Sequence, residues 1–307
     1  MKTILRNFLV IVVIMLLLMV ISIGAKPAPA FPQYICAQNT HTKEDTARFA
    51  VIGDYGAGNQ AEADVANLIK NLNPDFIITT GDNNYGYGSA YTIDKNIGKY
   101  YSEFIYPYSG SYGMGNPDMF MNRFFPTLGN HDWKTDDAQP YLDYFTLPGN
   151  ERYYDFVWGS VHFFAIDSDE HESDGTTKDS VQAMWLKGRL ATSTSPWNIV
   201  YMHHPPYSSG EHGSLDKLQW PYQEWGATTV LAGHDHDYER IIRDGFPYFV
   251  NGSGGGSLRD WEEVVSGSEV RYCDDHGAML VEATTDSITF KFISRTGEVI
   301  DTYSISG

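Results

Sequence analysis

The sequence Thr229-Val230-Leu231-Ala232-Gly233-His234-Asp235-His236 is an apolar run followed by two histidines two residues apart. The run predicts a buried β-strand that ends before Gly233. Gly233 has no Cβ atom and lets the backbone turn as it leaves the strand. In an extended segment residues i and i+2 point to the same side, so we expect His234 and His236 to face one point. The pair suggests a metal site, with two solvated loop histidines as the alternative until complementary ligands are found.

Four other apolar runs end in polar residues of types that bind metal ions. Each run predicts a short buried strand. The motifs that follow these runs are, in chain order, Gly53-Asp54, Gly81-Asp82-Asn83-Asn84-Tyr85, Gly129-Asn130-His131-Asp132 and His203-His204-Pro205-Pro206. An amphipathic helix is predicted over residues 61–72, so the first two strands form a β-α-β unit. Such a unit should bring Asp54 and Asp82 to one edge of a parallel sheet.

The rest of the chain predicts a single domain of the α/β class. Its 307 residues are enough for one large core. Residues 86–125 are rich in Gly and Tyr and predict a long loop over the site edge, with a helix at 97–105. The chain then alternates strands and helices and becomes β-rich from residue 248. Further strands are predicted at 125–128, 152–158, 160–166, 197–202, 278–283, 287–293 and 299–305, and further helices at 140–145, 180–190 and 215–225.

The N-terminus predicts an export signal. Lys2 and Arg6 precede an apolar run over residues 8–23, and Ala28-Pro29-Ala30 is a small-x-small cleavage pattern. The alternative is an uncleaved membrane anchor, since the run is only a little shorter than a span of roughly 20 residues. Under either interpretation the body lies outside the cytoplasm. The predicted organisation is a signal peptide at 1–30, a polar leader at 31–46 and a catalytic domain at 47–307.

Charge and cysteine content restrict the partners and the compartment. The formal net charge is −18, and a chain without residues 1–30 would carry about −21. Such a body repels nucleic acid and anionic membranes at long range, although bound metal ions can still attract an anionic substrate. Cys36 and Cys273 are the two cysteines. Export permits a disulfide between them, with two unpaired thiols as the alternative.

Five strand-end motifs in this order resemble the metallophosphoesterase superfamily. The tyrosine of Gly81-Asp82-Asn83-Asn84-Tyr85 narrows the resemblance to the purple acid phosphatases, also called tartrate-resistant acid phosphatases, and to their small single-domain members. The resemblance spans roughly residues 48–306. It implies an α/β fold, a β-sandwich of two mixed sheets flanked by helices.

The resemblance also implies a dinuclear metal centre. A ferric ion would be held by Asp54, Asp82, Tyr85 and His236, and a divalent ion, Fe(II), Zn(II) or Mn(II), by Asp82, Asn130, His203 and His234. His234 and His236 would then bind different ions rather than one. Each ligand has an ordinary structural alternative, such as a helix N-cap for Asp54 and a turn residue for Asn130. Tyr85 would be a packed aromatic residue in a relative with two zinc or manganese ions, and His204 competes with its neighbour His203.

His131 and His212 resemble the substrate-side histidines of the same family. We expect His212 to protonate the leaving group and His131 to bind the phosphate, with the roles exchanged or shared as the alternative. Asp132, Asp235 and Glu211 are candidates to orient an imidazole from behind, with a plain turn role as the alternative for Asp132.

The function implied is that of a secreted acid phosphatase. It would hydrolyse phosphomonoesters by direct attack of a hydroxide that the dinuclear centre activates. The alternatives are a phosphodiesterase or nucleotidase with the same site, decided by the segment 86–125, and a non-catalytic binding protein. We expect a small phosphorylated substrate, no binding of nucleic acid as such and no stable partner. The sequence leaves the oligomeric state open.

Overall fold

The computed structural model describes residues 46–115 and 120–307. The predicted signal peptide, nearly all of the leader and Cys36 lie outside the described residues. The expected domain boundary and the Cys36–Cys273 disulfide therefore stay predictions. None of the helices in the described part combines the length and the hydrophobicity needed to cross a bilayer.

Thirteen strands form two mixed sheets in the described part of the chain, as expected for the fold class. The first sheet has the strand order β13-β12-β11-β1-β2-β3, and the second has the order β10-β8-β9-β7-β6-β5-β4. The strands are β1 (Ala47–Ile52), β2 (Phe76–Thr79), β3 (Phe124–Pro126), β4 (Tyr154–Trp158), β5 (Val161–Ala165), β6 (Trp197–Tyr201), β7 (Thr229–Ala232), β8 (Tyr238–Arg243), β9 (Phe246–Asn251), β10 (Ser268–Tyr272), β11 (Gly277–Ala283), β12 (Ser287–Ser294) and β13 (Val299–Ser306).

Helices lie along the chain between these strands. The α-helices are α1 (Gln60–Leu72), α2 (Lys99–Tyr101, between a π-helical turn at Asp94–Gly98 and a 3-10 turn at Ser102–Phe104), α3 (Gln139–Tyr144), α4 (Val181–Thr192) and α5 (Tyr222–Trp225). Helix α1 begins at the predicted place because the side chain of Asn59 accepts a hydrogen bond from the N–H of Glu62. It ends where Asn73 adopts a left-handed conformation.

The core lies between the two sheets. The ring of Phe76 on β2 lies 5.2 Å from that of Phe49 on β1 and 5.3 Å from that of Phe163 on β5, so aromatic side chains join the sheets. Val65 and Ile69 of α1 belong to the same apolar cluster. Leu186 of α4 belongs to a second cluster, which covers the other face of the β5–β6–β7 region.

The centre of each sheet is parallel, and this places the site. Strands β1, β2 and β3 pair in parallel, as do β5, β6, β7 and β9. All residues of β2, β5 and β7 are buried, which explains their largely apolar sequences. The carboxyl ends of β1, β2, β3, β6 and β7 carry the five polar motifs.

The structure corrects the predicted elements in two places. The helix predicted at 215–225 is wrong: the chain forms a 3-10 turn at Asp216–Leu218 and the separate short helix α5. Pro221 explains the interruption, because proline disfavours helical dihedrals in the residue before it. Strands β8 and β10, absent from the prediction, pair with each other at the edge of the second sheet.

Candidate metal centre

The seven predicted ligands come from five loops, and five of them line one cavity of about 320 Å³: Asp82, Tyr85, Asn130, His234 and His236. The side chains of Asp54, Asp82 and His203 are almost fully buried beneath it. Their donor atoms form two groups with Asp82 between them. We call Asp54, Tyr85 and His236 the tyrosine group, and Asn130, His203 and His234 the imidazole group.

In the tyrosine group three donor atoms lie in mutual contact. The Tyr85 hydroxyl is 3.1 Å from Asp54 Oδ1 and 3.0 Å from His236 Nε2. His236 Nε2 is 3.4 Å from Asp54 Oδ1. A carboxylate, a phenol and an imidazole therefore point at one position.

In the imidazole group His203 Nε2 is central. It lies 3.0 Å from Asn130 Oδ1 and 3.1 Å from His234 Nδ1. Asp82 Oδ1 is 3.5 Å from the same nitrogen, and ligand atoms of Asp54, Asp82 and His203 all lie within 4.8 Å of one another. Asp82 is therefore placed to contact both groups, where a bridging carboxylate is expected.

The strand ends use an uncommon backbone conformation to aim these side chains. Asp54, Asp82 and His234 have φ angles of 54°, 51° and 71°, in the left-handed region that residues other than glycine rarely occupy. Such strain is typical of functional sites held in place by their surroundings. At His234 this conformation also interrupts the extended backbone, so His234 and His236 belong to different groups. The expectation that both histidines face one point is therefore wrong.

Close packing explains the glycines that precede the ligands. A Cβ atom at Gly129 would overlap the backbone nitrogen and Oδ1 of Asp82. A Cβ atom at Gly233 would lie 2.5 Å from Asp54 Oδ2. The repeated glycine-ligand pattern is thus a requirement for bringing the loops together.

Backbone carbonyls orient two of the imidazoles. Nδ1 of His203 is 2.8 Å from the carbonyl oxygen of Thr80, and Nδ1 of His236 is 2.7 Å from that of Ser257. If each Nδ1–H donates to its carbonyl, the Nε2 lone pair is directed at the cluster, as in metal-binding histidines. His234 instead directs Nδ1 towards His203.

The two groups differ in their electrostatics. Burial opposes protonation of His236, but the hydrogen bond and charge of Asp54 outweigh burial and raise the pKa of His236 to about 9. Burial and the neighbouring imidazoles of His203 and His204 lower the pKa of His234. Burial and the carboxylates of Asp54 and Asp82 raise the pKa of Tyr85. The tyrosine group is thus rich in negative charge, whereas the imidazole group is not.

The structure distinguishes the environments of His203 and His204. His203 is fully buried and contacts Asn130 and His234. His204 lies close to both histidines of the imidazole group, but its Nδ1 is 3.0 Å from Ser168 Oγ and its backbone N–H donates to the same oxygen. Because His204 is hydrogen-bonded to Ser168, His203 is favoured over His204 as the ligand.

His131 and His212 both line the cavity above the two groups. His131 Nε2 is 3.9 Å from Asp82 Oδ2 and 2.9 Å from Lys134 Nζ. His212 Nδ1 is 3.0 Å from Asp235 Oδ1, and its ring centroid is 4.2 Å from that of His234. Asp235 therefore has the orienting position anticipated for it.

Two other acidic residues have partners different from those expected. Asp132 accepts hydrogen bonds from the N–H of Gly129 and the side chain of Asn83, so it joins the loops after β2 and β3 instead of orienting an imidazole. Burial and the nearby Asp82 raise the pKa of Asp132 to about 7. Glu211 forms an ion pair with Arg259, which lines the cavity. Arg259 escapes sequence-based prediction because it follows no strand and lies in no motif.

The donor set fits bound cations. Asp54 and Asp82 are buried close together, and two carboxylates in one buried site repel each other unless positive charge lies between them. Carboxylate and phenol oxygens suit a hard trivalent ion, whereas the amide and the imidazoles suit Zn(II), Mn(II) or Fe(II).

The chain is similar to known phosphoesterases. A family model described as calcineurin-like phosphoesterase matches residues 47–238. The chain is 25% identical to purple acid phosphatase 17 of Arabidopsis thaliana, with 84% of this chain and 83% of that protein covered. It is 24% identical to tartrate-resistant acid phosphatase type 5 of Homo sapiens, with 67% and 72% covered. The resemblance expected from the motifs is confirmed.

Two solved structures show the same fold. One is purple acid phosphatase PPD1 from yellow lupin (Lupinus luteus) seeds, with a TM-score of 0.67, 18% identity, and 86% of this chain and 54% of that chain covered. The other is GAP50, described as the anchor in the inner membrane complex of Plasmodium, with a TM-score of 0.67, 24% identity, and 85% and 89% covered. The fold thus occurs in a phosphatase and in an anchor protein.

Proposed function

The chain belongs to the calcineurin-like phosphoesterase family, and we propose that it is a metal-dependent acid phosphatase that hydrolyses small phosphomonoesters. One observation carries the proposal: two groups of donor atoms lie side by side with Asp82 between them, at the base of a cavity lined by two further histidines. The curated relatives named purple acid phosphatase and tartrate-resistant acid phosphatase support it.

The tyrosine group would hold Fe(III), and the imidazole group would hold Fe(II), Zn(II) or Mn(II). When bound, two such ions supply Lewis acidity, which polarises the phosphoryl group and lowers the pKa of water. Asp82 would hold the ions at a fixed spacing. Its Oδ1 accepts the backbone N–H of His131 at 2.8 Å, which fixes the orientation of the carboxylate.

The histidines would handle the phosphate and the leaving group. In hydrolysis the oxygen of water bonds to phosphorus, the ester P–O bond breaks, and the leaving oxygen takes a proton. His212 suits the proton transfer: if its Nδ1–H donates to Asp235, its Nε2 is free to carry the proton towards the substrate. His131 suits phosphate binding, because Lys134 at 2.9 Å adds a positive charge beside its ring.

The rival functions would use the same site differently. A phosphodiesterase or nucleotidase would need room for a larger group beside residues 86–125. A non-catalytic anchor, the role in the description of GAP50, would not need the ligands, yet all seven positions hold side chains that can bind metal ions. We propose secretion from the predicted signal at 1–30, and a small phosphorylated substrate.

Metal analysis combined with two chromogenic substrates tests the proposal. We expect about two metal ions per chain, and faster hydrolysis of p-nitrophenyl phosphate than of bis(p-nitrophenyl) phosphate at acidic pH. Removal of the ions with a chelator should abolish both activities, and re-addition should restore them. A metal-loaded protein that cleaves neither ester would refute the catalytic role, and a preference for the diester would favour the phosphodiesterase.

A further inference from the structure

Arg259 is the lining residue of the cavity that carries a permanent positive charge. Its backbone N–H donates to the carbonyl oxygen of His236 at 3.2 Å, so its position is tied to a member of the tyrosine group. Gly256 and Ser257 line the same wall, and Asn59, at the start of α1, lines the cavity as well. Arg259 therefore belongs to the part of the cavity wall that adjoins His236.

The partner of Arg259 in the structure holds it weakly. Arg259 Nη1 is 2.6 Å from Glu211 Oε2, but the side chains are 36% and 51% exposed. An ion pair so exposed contributes little to stability, because water screens the charges. The guanidinium can therefore exchange Glu211 for an anionic group of a ligand, which it would bind through two parallel hydrogen bonds.

The loop around Glu211 has other attachments to the loop that carries Arg259. The carbonyl oxygen of Ser209 accepts the N–H of Glu262 at 3.0 Å, and its hydroxyl accepts the N–H of Val265 at 3.0 Å. Gly210 pairs with Trp261 in an isolated β-bridge. These contacts hold the loops together without the ion pair, so the pair is not needed to form this wall.

We propose that Arg259 is a specificity-determining residue that binds a second phosphate group of the substrate, next to the phosphate being hydrolysed. The inference rests on the proposed phosphatase function and narrows its substrate class to compounds with two adjacent phosphates, such as inorganic pyrophosphate or a nucleoside diphosphate. In an otherwise acidic chain of net charge −18, a lining arginine favours an anion at that place. The cavity of about 320 Å³ is at the lower end of the range for small-molecule sites.

Pyrophosphate would be hydrolysed by attack of water at one of its two phosphorus atoms. Water gives up one proton to the solvent as its oxygen bonds to the phosphorus atom above Asp82, and the bridging P–O bond breaks. The leaving phosphate keeps the electron pair, Arg259 neutralises its charge, and His212 supplies a proton to its oxygen. With phenyl phosphate the same steps occur, but the leaving group offers Arg259 no anionic oxygen beyond the one that departs.

The test compares kcat/KM for pyrophosphate, ADP and phenyl phosphate in four metal-loaded proteins: wild type, Arg259→Ala, Glu211→Gln and Arg271→Ala. Arg271 is an exposed residue on β10 whose side chain contacts Ser268, so its replacement controls for the loss of one positive charge. We expect Arg259→Ala to lower kcat/KM for pyrophosphate and ADP at least about 10-fold more than for phenyl phosphate. Glu211→Gln should raise the preference for the diphosphates, because it frees the guanidinium.

Parallel losses for all three substrates in both Arg259→Ala and Glu211→Gln would overturn the proposal, because the pair would then only hold the loop of His212. A loss of the diphosphate preference in Arg271→Ala as large as in Arg259→Ala would also overturn it. Calorimetric binding of pyrophosphate separates this inference from the function itself. If the wild type hydrolyses none of the three substrates, the phosphatase function is refuted. If Arg259→Ala then binds pyrophosphate more weakly than the wild type does, the role of Arg259 is still supported.

Discussion

The tyrosine group and the imidazole group are built alike but differ in chemistry. Each draws its side chains from residues just after buried parallel strands. The tyrosine group combines two oxygen donors with one nitrogen and raises the pKa of His236 to about 9. In the imidazole group two imidazoles meet an uncharged amide, and the pKa of His234 is lowered by burial and by neighbouring rings. The strand ends of the two sheets therefore provide two unlike binding positions.

This difference shows how one fold can hold two different ions side by side. The hard, negatively charged position suits a trivalent ion, and the softer position suits a divalent ion. Asp82 lies between the two groups, and a substitution there should affect both of them. Substitutions should therefore fall into three classes: those that affect both positions, those that affect one, and those that affect the residues above the two positions.

The largest effect should come from Asp82→Asn. The amide keeps the shape of the side chain but loses the charge that both positions share. We expect kcat/KM for p-nitrophenyl phosphate to fall at least about 1,000-fold, because Lewis acidity and activated water are each worth several kcal/mol. Elemental analysis should show fewer than two metal ions per chain. The matched control is Asp286→Asn, in the exposed turn before β12, which should leave both measurements as in the wild type.

Unchanged activity in Asp82→Asn would show that the two groups do not share this carboxylate. Loss of activity with full metal content would place Asp82 in the chemistry rather than in metal binding.

A pair of substitutions should separate the imidazole group from its neighbour. His203→Ala removes the nitrogen that contacts both Asn130 and His234. We expect kcat to fall about 100-fold and one metal ion to be lost, because this effect should exceed that of replacing a residue that only orients a ligand. His204→Ala removes the contact with Ser168 and should cost less than about 10-fold. Metal titration of both variants decides between them, and the reverse order would identify His204 as the ligand.

The positions of several ligands can be predicted from the sequence because each of these ligands closely follows its strand in the chain. A buried strand, a glycine and a ligand are consecutive, and the strand is visible in its run of apolar residues. The parallel order of β1 and β2 follows from the helix between them. These local patterns are sufficient to place Asp54, Asp82 and Asn130 at one edge of a sheet.

Features that depend on contacts between distant loops could not be predicted in the same way. The φ angle of 71° at His234 results from packing around Gly233 and Asp54, whereas alternation alone directs both histidines to one point. Asp132 follows His131 in the sequence and is therefore expected to orient an imidazole, but in the structure its carboxylate accepts a hydrogen bond from the side chain of Asn83. Arg259 has no sequence signal, since an arginine in a polar loop is ordinarily solvated.

The residues above the two groups should show a smaller and more selective effect. Asp235→Asn removes the carboxylate beside Nδ1 of His212, and we expect kcat to fall about 10- to 100-fold for an alkyl phosphate. The fall should be several-fold smaller for p-nitrophenyl phosphate, whose leaving group needs no proton. The ratio of the rates for the two esters measures this effect. Because Asp235 also accepts a hydrogen bond from Ser208, whose hydroxyl accepts the N–H of Gly210, circular dichroism is needed to check that the variant folds. Equal losses for both esters would mean that Asp235 only supports the loop.

The smallest effect on rate should come from Tyr85→Phe, which tests the tyrosine group directly. The phenol contacts Asp54 and His236 at 3.1 and 3.0 Å, and a phenolate bound to Fe(III) would give a charge-transfer band in the visible spectrum. Since two carboxylates and an imidazole remain for that ion, we expect kcat to fall less than about 10-fold while the band disappears. The spectrum of the wild type is the control for the band. A colourless, fully active wild type that contains zinc or manganese would contradict the ferric assignment, and Tyr85 would then be an aromatic residue packed beside His131.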